Sequence, residues 1–168
     1  MKRLIILLMA LSIGCSSYQE DAEKKPVKNC GSDKSRTFVL CNIKLLLKSG
    51  YVWSDQNYFI IEQYKYKLHE ADRTEYKIIV SLSLPNFAYY HAATLVIDGK
   101  TYTLASRKTE HEETYGLREI LYFEISKDFI KLLANSRDIL LIMPGKVTNK
   151  YSIKIDDIPV IKEFYDSL

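Results

Sequence analysis

The chain reads as an α+β domain: a largely antiparallel, sandwich-like sheet of six to eight strands, with two short helices in its second half. Three observations predict this. Residues 75–84 alternate, with Tyr76, Ile78, Val80, Leu82 and Leu84 on one face and Lys77, Ser81 and Ser83 among those opposite, as in a strand buried on one side. Asp98-Gly99 lies between two alternating runs and supplies the positive backbone angles of a two-residue hairpin turn. Helix-spaced apolar residues occur in two places, both after residue 126, so two short helices late in the chain are added to a sheet instead of alternating with every strand. With 168 residues, 47% hydrophobic and 27% charged, the chain holds enough apolar surface for one domain with a core, which excludes disorder throughout.

Residues 1–14 open with Lys2-Arg3, continue with a nearly all-apolar run at 4–13 and end in Ser12-Ile13-Gly14 before Cys15, the layout of a secretion signal. A spanning helix needs about 20 apolar residues. This run is half as long and gives way to Ser16-Ser17-Tyr18-Gln19-Glu20-Asp21. The Ser12-Ile13-Gly14-Cys15 segment resembles the lipobox of bacterial lipoproteins. The resemblance implies diacylation of the Cys15 thiol, with palmitate-type chains, and cleavage just before it, so that Cys15 is the lipidated N-terminus held in the membrane. Each buried methylene then contributes about 0.8 kcal/mol of anchoring. Ser12 stands where Leu is usual in that family, so cleavage without lipidation stays open. In the same family an Asp after the cysteine favours the inner membrane. Ser16 at that position implies the outer membrane of the cell envelope, facing the periplasm or the surface.

Once Cys15 is assigned to lipid, Cys30 and Cys41 remain, and an exported chain meets an oxidising compartment where such a pair forms a disulfide. A loop of about ten residues restricts the unfolded chain by roughly 2 to 3 kcal/mol. A redox or metal role for the pair is disfavoured, because the spacing is not C-x-x-C and no histidine is near. Residues 15–36 carry the lipidated N-terminus and a flexible tether, rich in Ser, Lys, Asp and Glu with Pro26 and Gly31. Residues 37–168 form the single globular domain.

Within that domain, Phe38, Leu40 and the run 43–47 read as a first strand, 58–68 as a second and 75–84 as a third, with 69–74 as a turn. The Asp98-Gly99 turn sets a register: Ile97 opposite Lys100, Val96 opposite Thr101, Leu95 opposite Tyr102 and Ala93 opposite Leu104. Residues 107–114, rich in charge, read as a loop, and 117–125 as a strand. Ser126 caps a helix from Lys127 to about Asn135, with Asp128 at its positive end and Phe129, Ile130, Leu132 and Leu133 on its buried face. Residues 138–143 return as a strand, Pro144-Gly145 turns, and Tyr151, Ile153 and Ile155 alternate again. Asp156 or Asp157 caps a last helix, with Pro159 in its first turn and Val160, Ile161, Phe164, Tyr165 and Leu168 on the docking face.

Chemistry is sparse. No G-x-S-x-G, phosphate-binding G-x-x-x-x-G-K or G-x-G-x-x-G occurs, and His69, His91 and His111 form no H-E-x-x-H. His69-Glu70 and His111-Glu112-Glu113 read as solvated loops rather than zinc ligands, so neither a metal nor another cofactor is expected. Glu110, Glu112, Glu113 and Glu119 lie among Arg107, Lys108 and Arg118 and read as solvated acids, not a glycosidase pair, which needs one carboxyl in an apolar cleft. The 13 tyrosines and Trp53 fall mostly on strands, where packing accounts for them. Tyr89, Tyr90 and His91 form a candidate recognition loop, since aromatic rings with polar tips are common at recognition surfaces.

With 24 Lys+Arg against 21 Asp+Glu the formal charge is +3, and it falls to +1 once Lys2 and Arg3 leave with the signal, so no nucleic-acid footprint remains. The expectation is a non-enzymatic, exported, lipid-anchored protein that binds another protein, as an accessory or assembly factor or as a neutraliser of a toxin or envelope hydrolase. The alternative is a binder of a small amphipathic ligand such as a lipid or glycan. An envelope hydrolase ranks third.

Overall fold

Ten strands form one antiparallel sheet in the computed structural model, which describes residues 29–32, 38–49, 52–67, 72–113 and 116–168. They are β1 (Asn29–Ser32), β2 (Phe38–Ser49), β3 (Val52–Lys67), β4 (Asp72–Leu84), β5 (Ala92–Ile97), β6 (Lys100–Ala105), β7 (Lys108–Glu112), β8 (Leu117–Ile125), β9 (Ile139–Met143) and β10 (Asn149–Ile153). Two helices, α1 (Lys127–Ala134) and α2 (Ile158–Asp166), complete the described chain, with a short 3-10 turn at Ile155–Asp157 before α2. The signal segment, Cys15, most of the tether and His69 lie outside the described residues.

The strand order is β6-β5-β9-β10-β2-β3-β4-β8-β7, with β1 added beside β2. The sheet curls into a half-barrel whose two end strands are consecutive in the chain. At the corner between them the backbone changes partner: Ser106 N donates to His91 O (2.9 Å), and Arg107 N donates to Tyr122 O (2.8 Å). Ten strands exceed the expected six to eight for two reasons. Residues 108–112 are paired to β8 despite their charge, because an edge strand with one wet face tolerates charged side chains. Asn29–Ser32, inside the segment read as tether, pairs with β2, and the Cys30–Cys41 disulfide joins two residues directly opposite each other with Cα atoms 4.2 Å apart.

The hairpin register is the one the turn dictates, Ile97↔Lys100 through Ala93↔Leu104, with positive φ at Asp98 (49°) and Gly99 (79°). Ser126 caps α1 by accepting the Phe129 N–H at 3.1 Å. Asp157 occupies the N-cap position of α2 but makes no side-chain capping bond to it. Ile155, read as an inward strand residue, lies in the 3-10 turn and is 68% exposed, because β10 ends at Ile153 and the alternation does not continue past it.

Phe59, Ile61, Ile78, Val80, Leu82, Leu121, Phe123 and Leu141 fill the concave side, and all are fully buried. The register sorts the connections between two ends. α1, α2 and the Asp98-Gly99 turn lie at one end, where Asp98 Oδ1 accepts the Arg137 and Asp138 N–H groups at 2.8 and 3.1 Å. The loops at 85–91 and 144–148 lie at the other, as Leu84↔Leu117, Asn149↔Met143 and Thr94↔Ile142 require.

Candidate functional site

Along β8 the odd-numbered residues Glu119, Leu121 and Phe123 point to the core, so alternation carries a carboxylate inward opposite Leu82. Glu119 is fully buried. Its Oε1 accepts the Tyr89 N–H at 2.6 Å and its Oε2 the Tyr90 N–H at 3.1 Å. Two successive amides converge on one anion because Tyr89 has a left-handed backbone (φ 54°), the geometry that turns neighbouring N–H groups into an anion-binding concavity. A non-glycine residue there is strained. The two charge-assisted bonds offset that strain and part of the desolvation of the carboxylate. His111, directly across from Glu119 on β7, brings its Nε2 to 3.7 Å of Oε1.

With its backbone held below, the Tyr89 ring stands 49% exposed. His111 meets Phe87 edge-on at 4.9 Å between ring centroids and Tyr89 at 5.5 Å, while Phe87 and Tyr89 are 6.1 Å apart, so each of the three rings braces the other two. From the 144–148 loop Lys146 places its Nζ 5.2 Å above the Tyr89 ring, and the next side chain, Val147, is 63% exposed.

Tyr90 does the opposite work. Its ring is fully buried, its hydroxyl oxygen accepts from Asn149 Nδ2, and its hydroxyl donates weakly to Val147 O at 3.5 Å. A Cβ on Gly145 would stand 2.8 Å from that ring and 3.0 Å from Ala88 O, so a residue without a side chain is required where the two loops touch. Burial pushes the Tyr90 phenol above its ordinary pKa, and the Glu119 charge adds to this while the Asn149 donor opposes it. Burial likewise pushes Tyr151 up to about 12, helped by Tyr90 and Glu119.

The candidate loop thus divides: Tyr89 faces solvent, Tyr90 joins the core, and His91 is exposed, its backbone carbonyl accepting from Ser106. His111 joins the patch and His91 does not. Glu112 and Glu113 are exposed acids as expected, and Glu110 is half-buried. Glu119 corrects the expectation of a solvated acid, because strand parity outweighs the neighbouring charges. A glutamate in register with Leu121 and Phe123 was the signal that could have found it. Nothing local tied Lys146 or Gly145 to the site: Gly145 read only as part of a turn, and both reach the site from a distant loop. Among the described residues no group of three His, Cys, Asp or Glu is placed to hold a metal ion.

No protein-family model and no curated protein matches this chain. Among solved structures, the invasion associated protein B of Bartonella henselae shows a partial likeness, with a TM-score of 0.44 and 8% identity over 86% of this chain and 95% of that one.

Proposed function

We propose that this is an exported envelope protein, anchored by lipid on Cys15 at the outer membrane, that works without catalysis by binding another protein through the patch of Phe87, Tyr89, His111, Lys146 and Val147. The observation that carries the reading is the Glu119 clamp beneath Tyr89. Rings fixed before contact lose little freedom on binding, which is what an aromatic anchor at an interface needs. An assembly factor and a neutraliser would both use such a surface.

The test is recovery of a stoichiometric partner from the native envelope by the full chain, followed by rebinding of the purified partner to wild type and to Tyr89→Ala. Loss on Tyr89→Ala, with folding unchanged, supports the reading. Equal binding by the variant, or no partner, overturns it. For the anchor, Cys15→Ala should leave the membrane fraction, and the wild-type mature N-terminus should carry acyl mass on Cys15.

A second reading, binding of a small amphipathic ligand, is favoured by one feature: an open groove of about 270 Å³ lined by Tyr64, Lys77, Arg107, Lys108, Tyr122, Phe123 and Glu124.

A further inference from the structure

That groove lies three residues along β8 from Glu119 and on the opposite face of the sheet. Tyr122 and Glu124 have the parity opposite to Glu119, Leu121 and Phe123. Lys77 stands between Glu62 and Glu124 in the ladder, and Arg107 and Lys108 enter from the corner where the chain changes partner.

Its walls are held in place. The Tyr64 hydroxyl donates to Glu62 Oε2 at 2.7 Å, and Glu62 is buried to 7% exposure. The Tyr122 hydroxyl donates to Glu110 Oε2 at 2.8 Å. Lys77 Nζ sits 4.5 Å over the Tyr64 ring and Lys108 Nζ stands further off, 5.6 Å from the Tyr122 centroid. Each cation also has an acid: Lys77 with Glu75 at 3.4 Å, Arg107 with Glu124 at 3.3 Å, and Lys108 with Glu110.

These pairings decide what the groove can take. An anion would compete with the carboxylates already on Lys77, Arg107 and Lys108, and a cation would meet those three groups. An uncharged ligand disturbs no pair. An ammonium has three donors and a guanidinium five, so one carboxylate apiece leaves donors over, while each phenol oxygen that donates still accepts. A ligand that presents an apolar face to a ring and hydroxyls around its edge uses both sets of groups. Sugars have that chemistry: axial C–H groups pack on aromatic faces and ring hydroxyls pair with lysine, arginine and phenol. A volume of about 270 Å³ is at the small end for ligand sites, suited to a ligand of one or two rings.

We propose that the groove binds an uncharged sugar, stacked on Tyr122 and hydrogen-bonded by Lys77, Lys108 and Arg107. The proposal rests on the ligand-binding reading and does not involve Tyr89, so it fails or stands separately from the protein-binding reading.

The test uses the full chain in a polyoxyethylene detergent, which carries no sugar ring, with three neutral probes, maltose, cellobiose and diacetylchitobiose, and two charged ones, glucuronate and glucose phosphate. Saturation transfer from protein to sugar protons is recorded for wild type, Tyr122→Ala, Tyr122→Phe and Tyr89→Ala. Transfer to at least one disaccharide, weakened about tenfold by Tyr122→Ala and kept by Tyr122→Phe and Tyr89→Ala, supports the proposal. If Tyr122→Ala does not fold, Lys77→Met serves in its place, removing donors on the groove wall, and a loss of about tenfold is again expected. No transfer to any of the three neutral probes, transfer unaffected by the groove variants, or tighter binding of glucuronate or glucose phosphate than of the neutral sugars overturns it.

Discussion

Glu119 Oε1 accepts the Tyr89 backbone N–H at 2.6 Å, a bond that ties a fully buried carboxylate on β8 to a half-exposed ring in a loop 30 residues earlier in sequence. Loop conformation and core packing are therefore one problem in this protein: the loop's strained residue is held from inside the sheet.

Glu119→Gln keeps the shape but turns one acceptor into an N–H₂ donor facing a backbone N–H. One amide loses its bond and the other loses the charge on its partner. The expected loss is about 1.5 to 3 kcal/mol of stability, read by urea denaturation, with faster hydrogen exchange at the Tyr89 and Tyr90 amides. Unchanged exchange there would show that the clamp does not hold the loop.

Gly145→Ala brings a methyl group to 2.8 Å of the Tyr90 ring, inside van der Waals contact. Because Tyr90 is fully buried its ring has little room to retreat, and a loss of about 1 to 3 kcal/mol is expected. In a Tyr90→Leu background the same substitution should be milder, since two residues in contact do not act additively. Urea denaturation of the four proteins checks both statements.

Tyrosine ionisation gives a pH dependence. Tyr122 and Tyr151 are pushed up to about 12 by burial, Tyr122 also by its bond to Glu110, and Tyr64 and Tyr90 are raised too. Between pH 10 and about 12 the unfolded chain has released protons that the folded chain keeps, so it binds fewer, and stability falls as pH rises through this window. Below pH 10 both states hold these protons and the contribution is flat. Ultraviolet absorbance titration should show a set of phenols ionising later in the native protein than in urea.

Reduction of Cys30–Cys41, or a Cys30→Ala/Cys41→Ala pair, should lower stability by roughly 2 to 3 kcal/mol. The bridge spans two residues already opposite in the ladder, so the fold beyond β1 should not change. Denaturation with and without reductant reads the loss, and amide spectra locate any change in shape.

Where the information was local, the sequence by itself determined the outcome. Asp98-Gly99 set a hairpin register that holds residue for residue and Ser126 started α1; the alternation at 76–84 placed Ile78, Val80 and Leu82 in the core, but Ile79 and Ser81 on the opposite face are buried as well, so this strand is not buried on one side alone. The antiparallel α+β class follows from such signals, because turn angles, caps and strand parity are properties of a few neighbouring residues. Strand parity also carried Glu119 inward, but the charges around it in sequence pointed the other way.

Only the tertiary structure decided that residues 108–112 pair with β8, that Asn29–Ser32 extends the sheet, and that Tyr89 and Tyr90 part ways. It also decided that Lys146, Gly145 and His111 meet a loop far from them in sequence. Such meetings depend on which strand ends the curled sheet brings together. The partners lie 20 to 60 residues apart, as in the bonds from Ser83 to Asn57, from Tyr89 to Glu119 and from Asn149 to Tyr90, and no local pattern encodes a contact at that separation.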